Sequence, residues 1–135
     1  MSIDLTQKIY NYQKNQLDRK NDQTTIQRTR LTREYFYPNH TKQAAEIWTF
    51  SEKNKDKELH LSRRSKTNRH SSYACMEENG LRYMDPNHSA YFFENKDDFI
   101  EFYVAAAKID KELGLDYHFY RFSELKYLDN CALKT

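Results

Sequence analysis

The sequence predicts an α+β fold: an antiparallel β-meander of four or five strands packed against a C-terminal helix at about 96–113, with a polar helical N-terminal arm. Three observations predict it. The segment YACMEENGLRYMD (73–85) sets two alternating runs around Asn79-Gly80, a strong short-range hairpin signal. Phe99, Phe102, Tyr103, Ala106, Ile109 and Leu113 recur at helical spacing between Asn95, an N-cap, and Gly114, a C-terminal stop. The 11 tyrosines and 8 phenylalanines among 135 residues supply enough large side chains for one core and one domain.

In chain order, residues 4–20 read as a polar helix with Leu5, Ile9, Tyr12 and Leu17 near one face. Residues 21–32 fit neither period, although their threonines favour strand. A helical turn comes after Pro38, around 42–46. IWTFS (47–51) and ELHLS (58–62) alternate on either side of the charged turn KNKDK and read as a hairpin. In the second hairpin a two-residue Asn79-Gly80 turn places Glu77 opposite Arg82 and Met76 opposite Tyr83. SAYFF (89–93) adds a strand. Asp97 and Asp98 then fall in the first turn of the 96–113 helix, beside the positive end of its dipole. DYHFYRF (116–122) reads as a strand, and SELKYLDN as a short helix capped by Ser123. Residues 1–46 form the arm and 47–135 the core.

A curved antiparallel sheet with one helix after it, over about 47–110, is similar in topology to the unit of the Pur-type single-stranded nucleic-acid binders. That resemblance implies a nucleic-acid-binding sheet.

Composition excludes several classes of enzyme. Gly80 and Gly114 are the only glycines, so the P-loop, the dinucleotide fingerprint and the Gly-x-Ser-x-Gly elbow are absent, each needing several glycines for close backbone approach. No cofactor is expected. Cys75 and Cys131 lack Cys-x-x-Cys spacing, and Cys75 reads as a small buried hydrophobe. The start MSIDLTQKIY has neither a basic nor an apolar signal region, and no apolar run nears the ~18 residues of a membrane span. A cytoplasmic protein without membrane contact is expected. The excess of Phe, Tyr, Ile, Asn and Lys over Gly, Ala, Arg and Pro is the bias of AT-rich coding, and fits a phage or mobile element acting in a host cytoplasm.

Both prolines occur in one pattern, YPNHT (37–41) and DPNHS (85–89). Turn chemistry accounts for it: proline pre-sets φ, asparagine makes Asx turns, and a hydroxyl can cap the next element. The pair also resembles the His-x-Ser/Thr motifs of two-histidine phosphoesterases, with the hydroxyl directly after His40 and His88 where that family has it two residues on. This resemblance implies a small hydrolase or nuclease as a third reading. The five histidines show no metal-ligand spacing, so no metal site is expected from the sequence.

Charge is polarised. Residues 1–70 carry 15 basic and 8 acidic side chains, a net +7, while residues 71–135 carry 7 and 12, a net −5. Arg63, Arg64, Lys66 and Arg69 lie in SRRSKTNRHSSY without an acid among them, with Tyr73 close behind; Arg28, Arg30 and Arg33 precede Tyr35, Phe36 and Tyr37. Guanidinium groups grip phosphate and aromatics stack bases, and Tyr and Arg also dominate protein interfaces. These eight residues are therefore the candidate site. The reading is a small non-enzymatic binding protein, an anti-defence or anti-CRISPR-like inhibitor of a host nucleoprotein complex. The alternative is a protein that binds single-stranded DNA or RNA directly.

Overall fold

A computed structural model of the chain describes residues 24–129; the helix expected over 4–20 and Cys131 lie outside them. Seven strands, β1 (Thr24–Arg30), β2 (Tyr35–Phe36), β3 (Glu58–Arg64), β4 (Arg69–Glu77), β5 (Gly80–Asp85), β6 (Ser89–Phe93) and β7 (Phe119–Asp129), build one sheet. Its order is β1-β7-β3-β4-β5-β6, with β2 also pairing with β7, and every pairing is antiparallel. The α+β class and the meander β3-β4-β5-β6 are as expected. The sheet is wider than four or five strands because residues 24–36, read as part of the arm, contribute β1 and β2.

Two helices, α1 (His40–Lys53) and α2 (Lys96–Glu112), pack on each other and on one sheet face. Neither is long and apolar enough to cross a membrane. Their buried side chains, Ala44, Ile47 and Trp48 on α1 and Phe99 and Tyr103 on α2, meet Leu59, Leu61, Ala74, Met76, Leu81, Tyr83, Tyr120 and Phe122 from the sheet. The Phe50 and Phe122 rings stack at 4.1 Å, and Tyr83 meets Phe99 edge-on at 5.2 Å. Each fully buried aromatic among them, Tyr83, Phe99 and Phe122, contributes roughly 1.5–3 kcal/mol by leaving water.

Two expected elements differ. IWTFS is not a strand but the second half of α1, whose buried positions 43, 44, 47, 48 and 51 keep helical spacing. Asn39 caps the helix, its side chain accepting from the Lys42 amide at 3.0 Å. The β-propensity of Ile, Trp, Thr and Phe is overridden by a face that becomes periodic only when the window extends back to that cap. The described part of SELKYLDN, residues 123–129, likewise continues β7 instead of starting a helix. Between β1 and β3 both its edges find partners, Ser123 lying opposite Arg30 and His60.

α2 matches expectation at both ends. The Asn95 side chain accepts from the Asp98 amide at 2.9 Å. At the other end the Leu115 amide reaches the Asp110 carbonyl and the Gly114 amide that of Lys111, a Schellman closure with Gly114 at φ 82°. Its buried face is Phe99, Tyr103, Ala107 and Asp110, which leaves Ile109 and Leu113 exposed.

The β4-β5 hairpin forms two residues out of the expected register. Glu77 pairs with Gly80 and Cys75 with Arg82, so the turn residues are Glu78 and Asn79, neither at positive φ. Gly80 is needed for another reason: at φ 154° a Cβ there would stand 2.3 Å from the Phe93 carbonyl oxygen on β6. Gly80→Ala should therefore lower stability by about 1–3 kcal/mol in urea unfolding. Gly114→Ala, where the space is open and only φ resists, should cost about 1 kcal/mol.

Candidate functional site

Strand alternation divides the sheet into two unlike surfaces. Leu59, Leu61 and Arg63 of β3 point to the helices, and His60, Ser62 and Arg64 away from them. Register then aligns the away-facing residues in rows. Arg28 lies beside Leu125 and Glu58, Arg30 beside Ser123 and His60, and Arg121 beside Ser62 and Ser71. Phe36, Phe119, Arg64 and Arg69 form the last row. Arg28, Arg30, Arg64, Arg69 and Arg121 thus share the face opposite α1 and α2.

Four of the eight candidate residues, Arg28, Arg30, Arg64 and Arg69, lie on that surface by register; Arg33 and Lys66 lie outside the paired rows. Arg28, Arg30, Arg33, Lys66 and Arg69 are exposed; Arg33 lies over the Tyr35 ring at 5.3 Å, and Arg30 donates to the Thr32 carbonyl at 2.8 Å. Arg30, Leu31, Thr32 and Arg33 line a shallow groove. Arg64 is half-committed, forked onto the Glu34 carboxylate with its guanidinium 4.1 Å from the Phe119 ring centre. The hydrogen bond from Arg64, with the charges of Arg64, Arg121 and Arg69, holds the Glu34 carboxyl below its usual range. Arg28, Arg69 and Arg121 pair with no carboxylate among the described residues. Sequence reasoning missed Arg121, although its place in alternating FYRFS was the available signal.

Arg63 and Tyr73 are corrections, because both are buried, at 3% and 6% exposure. Arg63 donates to Asp85 Oδ2 at 2.8 Å and to the Tyr103 hydroxyl at 3.3 Å, and lies 5.3 Å from the Tyr103 and Tyr117 ring centres. His70 Nε2 meets Asp85 Oδ1 at 2.6 Å. Burial would raise the Asp85 carboxyl, but the His70 hydrogen bond and the Arg63 charge outweigh it and hold the group ionised below its usual range. Tyr103 in turn donates to Gln43 Oε1 at 2.8 Å. This cluster is structural, and it gives no phosphate a grip.

The two PNH motifs are caps and turns. Asp85 Oδ1 accepts from the Asn87 amide at 2.9 Å and the Asp85 carbonyl from the His88 amide at 2.9 Å, while Ser89 takes φ 117°. His88 is held by Asp110 at 2.9 Å and His40 faces Asp116 at 3.3 Å, so the two histidines serve different carboxylates. Cys75 is 3% exposed; burial and the neighbouring Glu58 push its thiol up to about 12, far from a nucleophile's range.

His60 is 5% exposed, its Nε2 2.8 Å from the Ser71 hydroxyl. Burial, with Arg28 and Arg121 adding like charge, lowers its pKa to about 4.

The chain matches no protein-family model and no curated protein by sequence. Among solved structures its fold is similar to that of the Pseudomonas avirulence protein AvrPphB, with a TM-score of 0.55 at 10% identity over 76% of this chain and 51% of that one. The chain thus spans about half of that protein's length, and the likeness is one of α+β fold.

The buried groups are open to test by unfolding. Arg63→Met strands Asp85 without its cation and should cost about 3–5 kcal/mol in urea unfolding, well beyond the effect of Arg69→Met at the exposed end of the row. His60, folded with a lowered pKa, takes up its proton more readily unfolded. Its stabilisation is complete above its unfolded value near 6.5 and falls away as pH drops toward about 4, by at most ~3 kcal/mol. His60→Gln should flatten the stability profile across that window, above the range where Asp85 protonates.

Proposed function

We propose that this chain is a small binding protein that grips the phosphate backbone of single-stranded nucleic acid, free or held in a host nucleoprotein complex. The observation that carries this reading is convergence. Two arginine clusters separated by more than 30 residues of sequence, together with Arg121, meet on the sheet face turned away from both described helices. Arginines spaced along adjacent strands match a sugar–phosphate chain, and Phe36, 58% exposed at the end of the same face, offers a ring for a base to stack on.

A second reading is favoured by the opposite edge. Among the described residues β6 pairs only with β5, and it exposes Tyr91 at 42% and Phe92 at 47%, an aromatic edge suited to a protein partner. Under this reading the chain inhibits a host complex through protein contacts, in the manner of a phage or mobile-element anti-defence protein.

Fluorescence anisotropy with labelled single-stranded DNA, single-stranded RNA and duplex DNA, at low and near-physiological salt, separates them. The first reading expects single-strand binding that weakens steeply with salt. It also expects the salt slope to fall by about 0.7 for each phosphate contact removed in Arg28→Ala, Arg69→Ala and Arg121→Ala. Absence of binding, or affinity indifferent to these substitutions, would discard it in favour of the β6 edge.

A further inference from the structure

His40, Asp116 and His118 come from two separate parts of the chain, the first residue of α1 and the segment between α2 and β7. Their ligand atoms all lie within 4.8 Å of one another. His40 Nε2 is 3.3 Å from Asp116 Oδ1, and His118 Nε2 is 3.0 Å from Asp116 Oδ2. The two imidazoles stand nearly parallel, 17° apart in plane with centres at 5.6 Å. Donor atoms bound to zinc at 2.0–2.1 Å with tetrahedral angles are about 3.3 Å from each other, so these spacings need little adjustment to enclose an ion.

The cluster is pinned through its backbone. Asn39 caps α1 directly before His40. One turn on, the Gln43 side-chain amide donates to the carbonyls of Tyr37 and of Tyr117, the residue between the other two ligands. The Tyr37 amide donates to the His118 carbonyl at 2.8 Å, and Tyr117 itself is 5% exposed. The side chains are 19–30% exposed, so an ion can enter from solvent. Within the cluster Asp116 Oδ1 and His118 Nδ1 are buried without a hydrogen-bond partner, so protein contacts alone leave the cluster's polar atoms under-satisfied.

We propose that His40, Asp116 and His118 form a binding site for a divalent first-row transition metal of the zinc type. Two imidazoles and one carboxylate suit zinc and its neighbours. They do not suit calcium or magnesium, which take oxygen ligands, or copper(I), which favours sulfur. Three protein ligands leave a coordination position for water or an anionic group.

The test uses the full chain without an affinity tag. Zinc(II) uptake is measured by calorimetry, and cobalt(II) substituted for zinc is read by its visible absorption, for the wild type, His118→Gln and Asp116→Asn. The expected result is a single equivalent bound by the wild type with the intense bands of four-coordinate cobalt, and uptake at least ~10-fold weaker in both variants. His88→Gln, at a histidine held by Asp110, should bind as the wild type does. Circular dichroism checks folding, and His40→Gln replaces any variant that unfolds. A folded wild type that takes up no zinc, uptake unchanged in the ligand variants, or equal loss in His88→Gln would each overturn the proposal. None of these outcomes depends on whether the arginine face binds nucleic acid.

Discussion

The buried Arg63–Asp85 pair ties together more of the molecule than any other polar contact. Arg63 is the last residue but one of β3 and Asp85 ends β5, with His70 of β4 holding the second Asp85 oxygen. From Arg63 the network passes to Tyr103 on α2, then to Gln43 on α1, and from there to the backbone around Tyr37 and Tyr117. Ions this deep cost several kcal/mol each to strip of water, and the partners of the Asp85 carboxylate and of the two terminal Arg63 nitrogens offset that penalty, while Arg63 Nε is buried without a hydrogen-bond partner. The partners are supplied by three strands, both helices and two loops, so one end of the sheet is held in place by hydrogen-bond geometry. At the other end Leu59, Leu81, Ile47 and Phe99 achieve the same by non-directional packing.

With one face committed to that core and network, the other is where charge can collect. Arg28 and Arg30 of β1, Arg64 of β3, Arg69 of β4 and Arg121 of β7 are kept off the helix side by register and project together. Buried Tyr73, Met84 and half-buried Leu125 give this second face its own small apolar patch. The charge asymmetry between the halves of the chain therefore becomes an asymmetry between the two sides of a sheet.

Much of this was legible in sequence. Asn95, the acidic first turn and Gly114 delimit α2 because caps act within a few residues. ELHLS, YACME, GLRYMD and SAYFF are strands because period-two alternation is a local property. The readings that failed depended on distant partners. Trp48 and Phe50 look like a strand until Ala44 and Ile47 are seen to share a helical face with Trp48. Ser123 looks like a cap until β1 and β3 claim its strand. Arg63 differs from Arg64 only in parity, yet one is interior and the other on the surface, a distinction that rests on Asp85 lying 22 positions away. The His40, Asp116 and His118 cluster offers only Asp116-x-His118 as a local spacing, and its third member arrives from the start of α1.

The displaced hairpin register bears on how this fold can vary. The turn at Glu78-Asn79 differs from the expected one by two residues, and because side chains alternate with a period of two, every residue keeps the face it would have had. Arg82 still reaches Glu77, now diagonally at 3.2 Å. Length changes at this turn are therefore quantised. Adding or deleting a pair of residues leaves inside and outside intact. A single-residue change would turn the helix-facing residues of one strand outward and bring Arg82 inward, unless a bulge absorbed it.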